Sequence, residues 1–397
     1  MPGRLNGWAV YVAVAIGFSI PISTALDSVL CAAVLLLWLA GGGYREKLQT
    51  IRDNPVALAA LLFLAVTLIG LIWSVGPLDD RFTYLRKYSN VLLIPVFITL
   101  FSDPANQRRG LLAMALALAI TVIGSFAVAA DILPASRFIT GMPSDPVVFK
   151  TRIAHNVLMA FGVVLFVVLA RQARMARARW IWGGLSVAAF IDVLVIQGRT
   201  GYVVLPGLLT LLLFRTWRWK GLGLGLALIA IVLAVAYALP GNFQGRIDKA
   251  GAEAAQWRPD SPAKTSVGYR LEFYRNTVAL IEQHPLFGVG TGGFKQAYAD
   301  QVRGSTMDRT HNPHNLYLMV AAEFGLLGIA ALAYLLITMW RCAEWLSLPG
   351  HALLAHSLVL TFVIAGAFNT LIIDHTESML FAWMSGVLFA GFAQRKS

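Results

Sequence analysis

The sequence predicts an all-α integral membrane protein, with about twelve transmembrane helices and a mostly helical extracytoplasmic domain between spans nine and ten. Three observations carry this. Of 397 residues, 58% are hydrophobic and only 13% charged, where a soluble domain is about a quarter charged. Apolar runs recur at the length a helix needs to cross hydrocarbon, and they are continuous rather than alternating, which excludes a barrel. The mean hydropathy is +0.69. A net charge of +12 would suggest nucleic acid in a soluble chain. Here it follows from topology instead, because cytoplasmic loops collect Lys and Arg.

The spans are read, in order, over 7–23, 26–42, 55–74, 88–102, 109–130, 153–171, 179–197, 199–216, 221–239, 314–340, 352–373 and 378–394. They divide the chain into 1–239 (spans one to nine), 240–313 (the external segment) and 314–397 (spans ten to twelve). A cleaved leader is the lesser reading of the N-terminus, because a second apolar run follows the first after a very short turn. Cys31 and Cys342 both fall in or beside apolar helices and form no disulfide framework. With the N-terminus inside, the inner loops hold Arg45, Lys47, Arg52, Arg108, Arg109, Arg171, Arg174, Arg177, Arg179, Arg215, Arg218 and Lys220, while acids there are sparse. That asymmetry puts both termini in the cytoplasm and the 240–312 stretch outside.

Several cations break the pattern by lying outside. Arg81, Arg86 and Lys87 fall between spans three and four, and Arg270 and Arg275 in the long external segment. Arg199 sits in Gly198-Arg199-Thr200-Gly201, a hairpin so short that the guanidinium must lie at the membrane edge. An arginine there is satisfied by an anion, by snorkelling to lipid phosphate, or by an acid such as Asp192 one or two turns back.

Within the external segment, 266–284 reads as an amphipathic helix with Ser266 as N-cap and an apolar stripe of Val267, Leu271, Tyr274, Val278 and Ile281. Arg270 lies on the edge of that stripe, facing a crevice or paired with Glu272 or Glu282 in solvent. Gly288, Gly290 and Gly293 match a dinucleotide fingerprint, but no βαβ unit surrounds them, so the glycines mark a tight turn or a helix C-cap and loop. The run Arg309-Thr310-His311-Asn312-Pro313-His314-Asn315-Leu316-Tyr317 follows, where polar sequence meets the tenth apolar run. A proline is tolerated at a first helical turn. His311 and His314 lack a metal-binding spacing, with only Asp308 and Glu323 as further candidates. A single histidine suffices as a general base, and nearby arginines would keep it neutral. The bland alternative is a pair of interfacial histidines bonded to backbone.

Together these stretches resemble the O-antigen ligase and O-antigen polymerase superfamily of bacterial envelope enzymes. The specific part runs from the Arg270 helix through His284-Pro285-Leu286-Phe287-Gly288-Val289-Gly290 and His311-Asn312-Pro313-His314-Asn315-Leu316 to Glu323-Phe324-Gly325-Leu326-Leu327-Gly328. Gly198-Arg199-Thr200-Gly201 is similar to the family's arginine before a small hydroxyl residue, with Thr in place of the usual Ser. The resemblance implies a metal-independent, cofactor-free, inverting glycosyltransferase of the bacterial inner membrane with its site facing the periplasm. Its donor would be O-antigen on undecaprenyl pyrophosphate and its acceptor a sugar hydroxyl of lipid A–core, among membrane lipids and without nucleic acid. His314 would be the base, and Arg199 and Arg270 the pyrophosphate clamp. Arg81, Arg86, Lys87, His311 and Asn315 are the candidates for further substrate contacts. Asp374-His375-Thr376-Glu377, the outer hairpin between spans eleven and twelve, reads first as a solvated turn, with orienting His314 or binding sugar as the alternatives for Asp374. Polymerases and protein O-oligosaccharyltransferases share these motifs; the modest length and the lack of a soluble C-terminal extension lean to the ligase. A lipid-linked glycan transporter or flippase is the non-enzyme alternative, which mid-membrane charges and inverted repeats would favour.

The charge asymmetry is checked by reporter fusions: one near Arg177 is expected to report cytoplasm and one near Pro262 the external side. A cytoplasmic signal at Pro262 would overturn the orientation.

Overall fold

The structure is a computed structural model and describes residues 2–134, 136, 139–238, 248, 251–253, 255, 257, 265–305 and 307–395. Most of 240–264, expected from sequence to be external, therefore lies outside the described residues. Among those described the protein is all-helical; the nearest thing to a sheet is a pair of isolated bridges, Ser136–Ile139 and Met142–Asp145.

The helices run α1 Pro2–Ser19, α2 Thr24–Ala40, α3 Tyr44–Arg52, α4 Pro55–Ile69, α5 Leu78–Tyr88, α6 Leu93–Leu100, α7 Pro104–Ala129, α8 Arg152–Gln172, α9 Ala176–Val195 and α10 Arg199–Ala238. Beyond residue 264 come α11 Ser266–Gln283, α12 Phe294–Gln301, α13 Leu316–Ala343, α14 His351–Gly366 and α15 His375–Phe389. Local sequence sets many of these starts. Asp103 and Asn54 cap α7 and α4 with a proline at the first turn, and Thr151 caps α8. Among the described residues, five helices are long and apolar enough to cross a membrane: α7, α8, α9, the Arg199–Ile231 part of α10, and α13. A sixth span would require α2 and α3 together, but these meet at a bend of 113°. α4 and α14 are apolar but shorter.

The expected twelve spans thus meet a bundle whose apolar helices are uneven in length, and two differences have physical causes. The stretches read as spans eight and nine are the two halves of α10, which breaks at Trp217 and Arg218, where Arg218 has a φ of 54°. The chain reverses there, since a Cβ on Gly221 would meet the Leu213 carbonyl and one on Gly225 the Thr210 side chain. Predicted span four is a 3-10 turn, Ser89–Leu92, followed by the eight-residue α6, nearly all of it buried inside the protein. Predicted span eleven, 352–373, stops at Gly366, because the apolar residues Leu371, Ile372 and Ile373 belong to a buried non-helical segment. Two helices, α3 and α5, form in stretches expected to be loops.

α15 is the axis of the bundle. It is apolar on every face, the signature of a helix enclosed by others, and its residues from Thr376 to Phe389 are buried. Trp383 donates from its indole to the Ala13 carbonyl at 2.7 Å and fills the space left by Gly17 and Gly110. Gly386 lets Phe97 of α6 approach. Enclosing α15 fixes the position of the segment that precedes it, residues 367–374, at one end of the bundle.

α13 is broken at Gly325, with φ 60° and ψ −150°. The glycine-rich run 285–293 fills the break. Val289 and Gly290 donate to the Ala322 and Glu323 carbonyls at 2.9 and 2.8 Å, while Leu326 donates to the Pro285 carbonyl at 2.8 Å. Backbone groups freed inside an apolar helix need such partners. The buried Glu323 side chain ties the same loop, accepting from the Gly292 amide at 2.9 Å and from the Tyr88 hydroxyl at 2.9 Å. The glycines therefore serve this docking. Gly288 and Gly325 both have positive φ, and a Cβ on either would fall 2.4 Å from the opposing carbonyl carbon, Glu323 or Leu286.

Replacing Gly288 by Ala is expected to destabilise by about 2–4 kcal/mol, combining positive-φ strain with overpacking. Gly42→Ala, where φ is +59° but nothing lies within 4 Å, should cost about 1 kcal/mol. Thermal unfolding of both variants in one detergent decides; equal shifts would contradict the docking role.

Candidate functional site

The site residues converge on the segment 367–370, between α14 and α15. Asn369 is buried and donates from Nδ2 to the Thr200 hydroxyl at 2.7 Å. Thr200 and Arg199 open α10, so this bond fixes the turn that carries Arg199. From the other side Asn156 of α8 donates to the Gly198 carbonyl at 2.8 Å and the Ile196 carbonyl at 3.3 Å. A Cβ on Gly198 would sit 2.3 Å from the Asn156 amide nitrogen, and one on Gly201 2.7 Å from its Cβ, so both glycines are required for that approach. The hydroxyl after the arginine is thus a structural anchor, and Thr supplies it as Ser would. Arg199 itself is exposed and has no acidic partner among the described residues. Asp192, the candidate partner, is buried and bonded instead to Ser125 and, at 2.7 Å, to His155 Nε2.

The histidine stretch is pinned to the same segment. Asn312 donates from Nδ2 to the Thr370 hydroxyl at 2.8 Å, and its Oδ1 accepts from the His314 amide at 2.7 Å. A residue before proline favours extended backbone, which leaves that side chain free to close an Asx turn. Asn315 caps α13 by accepting from the Leu318 amide at 3.0 Å, and donates to the Ala367 carbonyl at 3.0 Å. Both ends of the Asn315 amide are therefore engaged in holding the chain. Between these two asparagines His314 is held at φ 55°. For a non-glycine residue that costs about 1–2 kcal/mol, and such strain concentrates at functional sites.

α11 supplies the third side. It starts after Thr265, which accepts from the Gly268 amide at 3.0 Å, so the N-cap is Thr265 rather than Ser266. Its buried face is Glu272, Asn276, Thr277 and Leu280, whereas Val278 of the predicted stripe is exposed. The helix is rotated because Asn276 reaches Tyr298 of α12 at 3.2 Å. Phe273 stacks against the His314 ring, with centroids 6.4 Å apart and planes at 28°. Tyr274 directs its hydroxyl at the carbonyls of Ala367, 3.4 Å, and His314, 3.5 Å. Arg270 is half-buried, without an acid partner among the described residues, and close enough to His314 to act on its ring. Burial first, then the charges of Arg270 and His311, hold the His314 imidazole below its ordinary pKa. The ring is therefore neutral near neutral pH and able to accept a proton. Arginine was expected to be the cause; desolvation is the larger one.

The α5 cations fare differently. Lys87 lies over the Tyr84 ring at 4.7 Å, and Tyr84 donates to the His311 carbonyl at 2.7 Å, which joins this helix to the histidine stretch. Burial pushes the Asp374 carboxyl up to about 6, against the opposing pull of Lys87. Arg81 is used locally: its Nε donates to the Gly76 carbonyl at 2.6 Å. Arg86 and His311 are exposed. The structure thus brings His314, Arg270, His311, Asn315 and the Arg199 turn to one segment, links Lys87 to it, and engages Arg81 elsewhere. Asn156, Asn369, Thr370, Tyr84 and Tyr274 were not read as site residues from sequence. Neutral amides and hydroxyls in apolar runs carry little signal, and only the cost of burying them unpaired could have marked them.

The family model for "O-Antigen ligase" matches residues 184–333. That stretch holds Arg199, Arg270, His311, His314 and Asn315, and ends before the 367–370 segment. A protein of Haemophilus influenzae described as uncharacterized is 28% identical over 97 residues, 23% of this chain, and the match spans only 24% of that relative. A solved structure described as "Structural coordination of polymerization and crosslinking by a peptidoglycan synthase complex" is similar at 14% identity and a TM-score of 0.49, over 86% of this chain and 97% of that one.

Proposed function

The chain belongs to the O-antigen ligase and polymerase superfamily by its match over residues 184–333, and on that premise we propose that it is a lipopolysaccharide ligase. It transfers O-antigen from undecaprenyl pyrophosphate to a sugar hydroxyl of lipid A–core at the periplasmic face of the inner membrane. The observation that carries this reading is a strained histidine, its ring against Phe273, held near a half-buried arginine that has no acid partner among the described residues.

The chemistry follows from those groups. A ring nitrogen of His314 takes the proton of the acceptor hydroxyl as its oxygen bonds to the anomeric carbon. The bond from that carbon to the pyrophosphate oxygen breaks on the opposite face, so the centre inverts and the electron pair leaves on lipid pyrophosphate. Arg199 and Arg270, with planar forks suited to oxyanions, stabilise the growing charge and do the work a metal does elsewhere. The phenyl ring of Phe273 shields the imidazole from water and keeps it neutral. Holding two lipid-anchored substrates at one edge of the bilayer replaces diffusion with orientation.

Single-turnover transfer and donor binding in matched membranes test the division of labour. His314→Ala is expected to lower transfer about 10²–10⁴-fold with donor still bound. Arg199→Ala and Arg270→Ala should weaken donor binding and turnover together, and Lys at either position should restore only part. Transfer should persist in excess chelator without any energy source, and should fall as acid protonates His314. Near-normal transfer by His314→Ala would remove the general base, and loss of activity to chelator restored by a divalent cation would remove the arginine clamp.

A further inference from the structure

Only Ile196, Gln197 and Gly198 turn the chain between α9 and Arg199 at the start of α10. The backbone groups of so short a turn need partners from outside it. Asn156 takes the Ile196 and Gly198 carbonyls. The Gln197 amide is satisfied elsewhere. It donates to Asp145 Oδ1 at 3.1 Å, and the Gln197 side chain donates from Nε2 to the Ser144 carbonyl at 3.4 Å. Asp145 stands 52 residues earlier, in the crossover between α7 and α8.

That crossover presents Asp145 rigidly. Met142 and Asp145 exchange both backbone hydrogen bonds, at 3.1 and 2.8 Å, around Pro143 and Ser144, and the Gly141 amide donates to the Val147 carbonyl at 2.9 Å. A Cβ on Gly141 would lie 2.3 Å from the Val147 nitrogen, so glycine there lets the turn close. Pro143 and Pro146 have fixed φ on either side of the carboxylate. The Asp145 side chain is 4% exposed, and both of its oxygens are used: Oδ1 by the Gln197 amide and Oδ2 by an ion pair with Arg152. Arg152 opens α8, and Asn156 lies four residues on, along the same face. One turn of α8 thus orients the carboxylate through Arg152 and receives the Arg199 turn through Asn156, and Asp145 closes the circuit between them.

We propose that Asp145 is a positioning residue for the donor: by holding the Gln197 amide it fixes the direction in which Arg199 leaves the turn, and so sets donor affinity without touching the donor. The inference rests on the reading of Arg199 as part of the pyrophosphate clamp. Charge and position predict opposite signs here. As a bare negative charge Asp145 would oppose an anionic donor, and removing it would tighten binding. As the acceptor that holds the turn it strengthens binding, and removing it loosens the clamp.

The test uses the full-length protein in lipid discs. Binding of the undecaprenyl pyrophosphate-linked donor, acceptor KM and hydrogen exchange of the 196–198 amides are measured for Asp145→Ala and Asp145→Asn, with Arg199 present and with Arg199→Ala. Loss of one hydrogen bond at a buried group corresponds to about tenfold in affinity. Asp145→Ala should weaken donor binding by that factor, leave acceptor KM unchanged and speed exchange at 196–198. Asp145→Asn keeps an acceptor oxygen for the Gln197 amide and should restore donor binding to within about threefold. In the Arg199→Ala background, Asp145→Ala should change donor binding by less than about twofold. A merely supporting role in the fold would raise acceptor KM as well, or persist without Arg199, and either result overturns the proposal. Equal tightening of donor binding by both Asp145 variants would assign a role through charge and overturn it too. Arg152→Gln, an exposed change that frees the carboxylate, should give the same pattern at about threefold. If Asp145→Ala does not fold, an Arg152→Gln protein with unaltered donor binding and exchange overturns the proposal. If Arg199→Ala alone leaves donor binding unchanged, the clamp reading fails, while exchange at 196–198 still decides whether Asp145 holds the turn.

Discussion

The hydrogen bond from Asn369 to Thr200, 2.7 Å and buried, joins two parts of the chain that no local rule would bring together. With Asn312 to Thr370 and Asn315 to Ala367, it makes one short non-helical segment the meeting point of α10, α13 and α15. These are contacts between neutral groups. Each contributes about 1 kcal/mol net, but leaving one partner buried and unpaired costs about 1–3 kcal/mol, so the arrangement is specified more by what breaking it would cost than by what it gains. α15, enclosed on all sides, supplies the rigid base from which the segment starts.

Neutral groups do the holding, and the two arginines of the site take no part in it. Arg199 and Arg270 have no acid partner among the described residues. Asp192 and Glu323, the acids nearest to serving them in sequence, are each occupied: one by His155 and Ser125, the other by Tyr88 and the Gly292 amide. An arginine at the hydrocarbon edge without a carboxylate needs an anion from outside the chain.

How much of this was legible in the sequence depended on whether a residue announces itself by charge or by context. Arg199, Arg270 and His314 stood out because ionisable groups are rare at apolar boundaries. The helical character followed from long apolar runs, and the glycine-rich run was rightly refused as a nucleotide loop, since it mends the break at Gly325. The segment 367–373 was hidden because Leu371-Ile372-Ile373 reads as helix when it is a buried loop. The face of α11 was only partly legible for a related reason: Val278 of its apolar stripe is exposed, while the polar Glu272 and Asn276 are buried. The fourth expected span differs because α6, eight residues long, is too short to cross by itself. Tertiary contacts decide all of these, and periodicity does not see them.

The claim on which the rest depends is that Asn369 acts on the donor only by placing Arg199. A double-mutant cycle on binding of the undecaprenyl pyrophosphate-linked donor measures this directly. Asn369→Ala is expected to weaken binding about tenfold in the otherwise native protein and by less than about twofold when Arg199 is already Ala. The same loss in both backgrounds would show that Asn369 and Arg199 act independently, and would contradict the account.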